Sequence, residues 1–336
     1  MTNPVAIDIT QVTAVKNIIE KDIIESASLV NDTIFDTLKA EVIRGIENKD
    51  TVFVYEKAAK IASAYTPGDE LEATLGAVQE RVLEVKPIWT RIPDNLANYR
   101  EKEPISIAGL SAGGVQAKHT ERQLRLAGKE TAEQVRLNLF HGNRALGKDA
   151  KYGLYDGWLT NLAKDITAGN ISAAKGNYIE DIDMSGTPED KYDGIVEFYS
   201  KLDPRLQNAE ETLFYVTPKT RLAAVQGYLT KYTGLQNVSV NSEGYRFVEM
   251  PNVVLIGVYI LGTGDGIIAT IPKNFQYGTD IDTDLPHVNI MQDPRDAKVI
   301  IIQIDQACGT RVRSVSADAF AMTDHVFTAP GETPEP

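Results

Sequence analysis

The sequence predicts an α+β fold in which helices open the chain and strands close it. Three observations carry this. Apolar residues recur every three or four positions over residues 10–48 and again over 116–140, the period of amphipathic helices. Residues 51–55 and 77–85 alternate apolar with polar, the period of half-exposed strands. From Arg246 onward short apolar runs are punctuated by Gly, Asn and Asp, a β texture.

The first stripe, Val12, Val15, Ile19, Ile23, Ala27, Val30, Ile34, Leu38 and Val42, has acids and lysines between its members, so residues 1–49 are expected to be an N-terminal helical arm, one helix or a pair. The strand-like 51–55 and 77–85 flank the turn-forming segment ASAYTPGD at 62–69, giving a two-stranded ribbon with little apolar content near its tip. A ribbon of two strands is marginal on its own in water. Residues 50–90 are therefore expected to be an extended arm that lies on another surface, with Pro87 and Pro93 breaking the chain behind it. After the loop at 103–114, helix 116–140 places Leu124, Ala127, Thr131, Val135 and Leu139 on one face and leaves Arg122, Arg125, Lys129, Glu133 and Arg136 to water. A helix is next expected at 189–202, with Ile195, Tyr199 and Leu202 in register, then a strand at 212–216 and a helix at 218–233 opened by Pro218 and stopped by Gly234. The β region follows with strands at 253–261, 267–271, 299–304 and 311–315 around a turn at 262–266, and 329–336 has the composition of a flexible tail.

Composition narrows the function classes. With 336 residues there is room for one large domain or two ordinary ones, and 43% hydrophobic with 24% charged residues is usual for a globular chain. The 34 basic and 47 acidic residues leave a net charge of −13, with no Lys/Arg run to offset it, which disfavours gripping nucleic acid through its phosphates. The longest apolar run, 253–261, is under half a membrane span, and no charged and then apolar leader opens the chain, so a cytoplasmic protein with no membrane partner is expected. A single cysteine, Cys308, excludes an intrachain disulfide; beside the apolar 299–307 it reads as a buried small hydrophobe, with a reactive thiol as the other reading.

Each chemical motif fails on its surroundings. GNRALGKD at 142–149 approaches the nucleotide-binding pattern G-x-x-x-x-G-K-[ST], but that loop needs a strand running in, a helix running out and a hydroxyl for magnesium. Here a helix runs in and Asp149 replaces the hydroxyl, so the segment reads as a glycine-bearing turn; a nucleotide-dependent enzyme using 142–148 stays as a distant alternative. DIDTD at 280–284 resembles the start of a calcium loop, yet Leu285 and Pro286 stand where the glycine belongs and Met291 where the closing Glu belongs. His119, His141, His287 and His325 have no metal-pairing spacing, and Ser111 lacks the G-x-S-x-G frame. The carboxylate pairs Asp181/Asp183 and Glu210/Glu211 read as solvated faces. No catalytic residue, metal site or cofactor is expected.

The order of elements resembles the tailed-phage major capsid protein of the Hong Kong 97 type over nearly the whole chain. Four places carry the likeness: the ribbon 51–85 at the position of that family's extended loop, helix 116–140 at its spine helix, the turn FHGN at 140–143 with Gly153 and Leu154, and the run 267–322. Within that run, IIATIPKNFQYGTD at 267–280 and RVRSVSADAF at 311–320 are similar to stretches of phage capsid subunits.

The resemblance implies an N-terminal helical arm at 1–49, an extended loop at 50–90, a peripheral domain at 91–205 and an axial domain at 206–274. A peripheral return at 275–299, axial strands at 300–315 and a peripheral end with a flexible tail at 316–336 complete it. It also implies a structural protein rather than an enzyme, self-assembling into hexamers, pentamers and an icosahedral shell. That shell would sit in a virion assembled in the host bacterial cytoplasm. DNA would be enclosed but not specifically bound, and a scaffolding protein, a portal and decoration proteins are the implied partners. An encapsulin-like nanocompartment on the same fold is the alternative. Candidate intersubunit contacts along the loop are Val52, Val54, Tyr55, Lys57, Lys60, Tyr65, Arg81 and Leu83, and candidate hinges are Lys49, Asp50, Pro87 and Pro93. Two departures from the family stand out. No long scaffolding extension is expected ahead of the arm, and neither Lys57 nor Lys60 matches the motif by which some relatives weld subunits through an isopeptide bond, so no covalent crosslink is expected.

Overall fold

In the computed structural model the residues described are 29, 32–55, 78–95, 112–232, 239–241, 244–280, 287–325 and 327–331. Helix α1 (Thr33–Leu38) is capped by Asp32, whose side chain accepts from the Ile34 amide at 2.9 Å, and it ends at Lys39 in the left-handed region (φ 48°). The chain then enters β1 (Glu41–Ile43), so the helical arm predicted to run through residue 48 stops short of that point. Leu38 and Val42 are four apart and fit the helical template. Val42 instead joins a sheet beside Tyr277, because over so few residues a helical and a strand period cannot be told apart.

Strands β2 (Lys49–Tyr55) and β3 (Val78–Glu84) pair antiparallel from Lys49↔Glu84 to Tyr55↔Val78. After Val85 the chain continues straight into β4 (Lys86–Asn95), which pairs antiparallel with 299–308. Pro87 and Pro93 thus lie inside one unbroken strand, a correction to the expected breaks. They are six apart and of equal parity, so both withdraw their missing amide from the same edge, and among the described residues β4 pairs with that one segment alone.

Helix α2 (Ala112–His141) runs for 30 residues, ~45 Å at its usual rise. Ala127, Thr131, Val135 and Leu139 are buried as the stripe predicts. Next come α3 (Trp158–Thr167), the short β5 (Tyr178–Ile179) and α4 (Pro188–Lys201). A reciprocal capping box between Thr187 and Asp190, with Pro188 in the first turn, starts α4. Then follow α5 (Pro204–Gln207), β6 (Thr212–Val216) and α6 (Pro218–Lys231), the last opened by Thr217 and Pro218. The remaining elements are strands: β7 (Ser239–Asn241), β8 (Gly244–Phe247), β9 (Met250–Gly257), β10 (Ile268–Thr270), β11 (Phe275–Thr279), β12 (His287–Asp293), β13 (Asp296–Val312) and β14 (Phe320–Thr323).

A seven-stranded sheet has the order β5-β14-β10-β6-β9-β8-β7, and a five-stranded sheet joins β1, β11, β13 and β12, with β4 on β13. The central strands of the larger sheet, β14, β10, β6 and β9, are largely buried on both faces, so their apolar residues run on with little alternation. Leu213, Tyr215, Val254, Ile256, Ile268, Phe320 and Met322 face one core with α2, α3 and the Phe275 and Tyr277 of the smaller sheet. Their neighbours in sequence, Phe214, Val216, Val253, Leu255, Ile267, Ala269 and Ala321, face a second core under α4 and α6. The first core closes on aromatic rings: Trp158 stacks on Phe275 at 5.1 Å and meets Phe140 edge-on at 4.9 Å.

The segment expected to supply axial strands at 300–315 and the strands of 206–274 fall in different sheets. Strand β13 lies in the five-stranded sheet, and β14 takes the place beside β10. Both are apolar runs of similar texture, and periodicity carries no information about which sheet a buried strand joins.

Candidate interaction surfaces

The ribbon of β2 and β3 has two faces, fixed by its register. Residues directly opposite one another point to the same side, so Thr51/Val82, Phe53/Glu80 and, further along β3, Val78 share one face and Asp50/Leu83, Val52/Arg81 and Val54/Gln79 the other. The second face lies on the body of the chain. Leu83 is fully buried beside Ile46, Val85 and Ala307. Arg81 reaches both carboxylate oxygens of Asp165 in α3, at 2.7 and 2.8 Å, and Asn170 donates to the same carboxylate at 3.0 Å.

At the ribbon's root a second arginine ties both strands down. The Arg311 side chain is 3% exposed, and its guanidinium donates to the Asp50 carbonyl at 3.0 Å, the Arg81 carbonyl at 3.2 Å, the Asp50 carboxylate at 3.0 Å and Gln276 Oε1 at 2.8 Å. Burial pulls this guanidinium below its ordinary pKa, and the Asp50 carboxylate opposes that shift. Beside it Gly309 lets β13 pass close under the β3–β4 junction: a Cβ there would stand 2.2 Å from the Glu84 carbonyl oxygen.

The first face of the ribbon touches nothing among the described residues that covers it. Phe53 is 59% exposed, Val78 53% and Val82 43%, an apolar row along one side of a two-stranded ribbon. Among the sequence-predicted contacts, Val52, Val54, Arg81 and Leu83 are on the inward face. Tyr55 has its backbone in β2 without a described side chain, and Lys57, Lys60 and Tyr65 lie outside the described residues. Phe53, Val78 and Val82 stand on the other face: Phe53 sits one residue off the Val52/Val54 parity, and a one-residue shift changes face. Of the predicted hinges, Lys49 pairs with Glu84 and Asp50 with Leu83 and Arg311, while Pro87 and Pro93 are within β4.

The remaining motifs are structural where they are described. In GNRALGKD helix α2 ends at His141, Asn143 caps the 3-10 turn 144–146 through the Ala145 amide at 3.0 Å, and Gly147 takes φ 92°. A Cβ on Gly142 would stand 2.2 Å from the Tyr155 carbonyl, so this glycine serves close packing, and no strand delivers the turn. Asp280 accepts from the Ala307 amide at 2.8 Å; the rest of DIDTD, like Ser111, lies outside the described residues. His141 Nε2 donates to the Leu261 carbonyl at 3.1 Å and His325 Nε2 to that of Ile182 at 2.7 Å. Glu211 is paired with Lys39 at 2.7 Å and Arg246 at 2.6 Å, not merely solvated, whereas Asp183 accepts from Ser185. Cys308 is fully buried, accepts a hydrogen bond from the Tyr277 hydroxyl at 2.9 Å, and is pushed up to about 12 by burial. An open groove of about 350 Å³ between α1 and α2 contains Arg136, which Asp32 and Glu133 already engage. Among the described residues no group of His, Cys, Asp and Glu is arranged to hold a metal ion, and no helix is long and apolar enough to cross a membrane.

No protein-family model and no curated protein matches the sequence. Solved structures match its fold. The chain is similar to a chain of the satellite phage P4 procapsid that includes the size determination (Sid) protein, at 10% identity and a TM-score of 0.51, over 99% of this chain and 94% of that one. It is also similar to the holo-SrpI encapsulin complex from Synechococcus elongatus PCC 7942, at 11% identity and a TM-score of 0.52, over 91% and 92% of the two chains. The mixed helix-and-sheet architecture is thus similar to the Hong Kong 97-like capsid fold along nearly its whole length.

Proposed function

We propose that this chain is the major capsid protein of a tailed bacteriophage, a subunit that assembles with its own copies into hexamers and pentamers and closes an icosahedral shell around double-stranded DNA. The observation that carries this reading is the likeness to a phage procapsid chain over 99% of its length, at a divergence where fold alone persists. A shell subunit works through adhesive surface and needs no pocket. The uncovered apolar row Phe53, Val78 and Val82 supplies such a surface, and in this reading it lies across a neighbouring copy. The Arg81 and Arg311 attachments would hold the ribbon at a set angle to the body, which moves the flexing point outward from Lys49 and Asp50 to the pairs beyond Val52↔Arg81. A net charge of −13 suits a container that must not hold its cargo tightly. Scaffolding, portal and decoration proteins are the partners such a shell takes, the completed particle being a virion assembled in the bacterial cytoplasm.

The encapsulin likeness supports a second reading, a nanocompartment that holds a protein cargo. Negative-stain microscopy of the purified chain, expressed alone and with the products of adjacent genes, tests both. Uniform shells or rings of five and six are expected; a chain that stays monomeric in every combination overturns the proposal. Nuclease-protected DNA inside the particles selects the phage reading, and a co-purifying enzyme without DNA selects the other.

A further inference from the structure

Helices α4 and α6 cover the same face of the seven-stranded sheet and differ in chemistry on their outer sides. Helix α6 bears Lys219, Arg221 and Lys231 and no acid, in a chain of net charge −13. Its core side is Thr220, Ala224, Gly227 and Tyr228. On the opposite side Lys219, Leu222, Gln226 and Leu229 follow one another at spacings of three, four and three, a single stripe along the helix. Leu222 is 59% exposed and Leu229 48%. Nothing in the core explains two leucines there, and Lys219 has no ion pair among the described residues.

Helix α4 presents the opposite charge. Glu189, Asp190, Asp193 and Glu197 are all exposed, whereas Lys191 turns inward to the Met184 carbonyl at 2.7 Å and to Asp265. Asp190 belongs to the capping box, Asp193 meets Lys231 of α6 at 2.5 Å and Glu197 meets Lys201 at 2.8 Å, which leaves Glu189 without an ion pair among the described residues. Half-buried Val196 and Tyr199 border this acidic face and offer apolar surface beside it. One helical layer therefore carries a basic and apolar stripe on one helix and an acidic face on the other.

Two unlike, complementary patches on one subunit are what a head-to-tail contact requires, because a ring that closes by rotation joins different surfaces of successive copies. We infer that the outer stripe of α6, Lys219, Leu222, Gln226 and Leu229, docks on the outer acidic face of α4 of a second copy of this chain, forming the contact around a ring. This inference rests on the shell-subunit reading and adds an interface distinct from the ribbon.

The test uses the full chain. In the first variant Leu222→Glu and Leu229→Glu place carboxylates where the acidic face of the next copy must sit. The fraction recovered as rings or shells is expected to fall about tenfold or more, with an unchanged circular dichroism spectrum and melting temperature, since both side chains point to water. In the second, Glu189→Lys and Glu197→Lys are added to the first pair, and assembly is expected to return. Parent-like assembly of the first variant overturns the inference. So does a four-substitution chain that folds as the parent does and stays unassembled, which would assign the stripe to a different partner. If the unsubstituted chain forms neither rings nor shells, the shell-subunit reading falls and this contact with it, an outcome distinguishable from loss confined to the variants.

Discussion

Arg311 meets five demands at one point: it carries a buried charge, satisfies two strand carbonyls, pairs with Asp50 and orients Gln276, whose amide in turn donates to Glu41. Removing it strands acceptors in a nearly dry site, which is costly because desolvated groups lose their partners. Arg311→Met is expected to lower stability by about 2–3 kcal/mol in urea unfolding, toward the low end for a buried pair since Asp50 keeps contact with water. Cys308 makes a different prediction. Its thiol keeps its proton up to about 12 in the fold, against an ordinary value of 9.0, so between these values the folded chain binds the extra proton and stability falls as pH rises through the window. Folded protein at pH 8 is expected to leave a thiol reagent unconsumed, with one equivalent reacting after denaturation; rapid labelling of the native chain would refute the burial. The cysteine was legible from its apolar neighbours. Arg311 was not, since its partners Asp50 and Arg81 are more than two hundred positions away and only the folded register brings them together.

Among the elements, the ribbon divides cleanly into a face that stabilises the chain and a face that does not. Phe53→Asp together with Val82→Asp is expected to change stability by no more than ~0.5 kcal/mol while abolishing assembly, because both side chains stand in water in the single copy. Leu83→Asp is expected to do the reverse, costing more than ~3 kcal/mol by burying a carboxylate against Ile46 and Ala307. Melting curves read beside sedimentation separate the two outcomes, and a destabilised Phe53/Val82 variant would mean that the exposed row is covered within the chain. The alternation that identifies a strand was plain at 51–55 and 77–85, as were the Pro218 start of α6 and the long stripe of α2. The choice of face was hidden because both parities of the ribbon carry apolar residues: Val52 and Val54 on one, Phe53 and Val82 on the other. Strand β1 also fits a helical template for a related reason, three residues being too few to express a period. In β4, Trp89 and Ile92 sit between prolines that normally end elements; only the sheet's edge, invisible in sequence, makes them tolerable.

For the whole molecule, the decisive feature is that the extended segment is rooted in the body. An arm spanning residues 50–90 would include Leu83, Val85 and Ile88, all buried, and the first residues of β4, so excising it would remove part of the five-stranded sheet and unfold the chain. Loss of a shell after such a deletion would therefore reveal nothing about assembly. A shorter cut respects the architecture. The pairs Asp50↔Leu83 and Val52↔Arg81 keep every contact to Arg311 and Asp165, so joining Val52 to Arg81 through an Asn-Gly turn preserves the root and removes only what lies beyond it. This shortened chain is expected to melt with the parent, since the seven-stranded sheet, both cores and the β13–β4 pairing are untouched, and, on the proposed shell-subunit reading, to remain monomeric at concentrations where the parent is expected to assemble. Light scattering across a dilution series, beside a melting curve, measures both. A trimmed chain that still closes into particles of parental size and resistance to denaturant would show that the distal ribbon carries none of the cohesion, leaving the α4 and α6 faces to hold copies together. Coupled loss of folding and assembly would instead mean that the ribbon's outer half stabilises its own subunit, against the exposure of Phe53 and Val78.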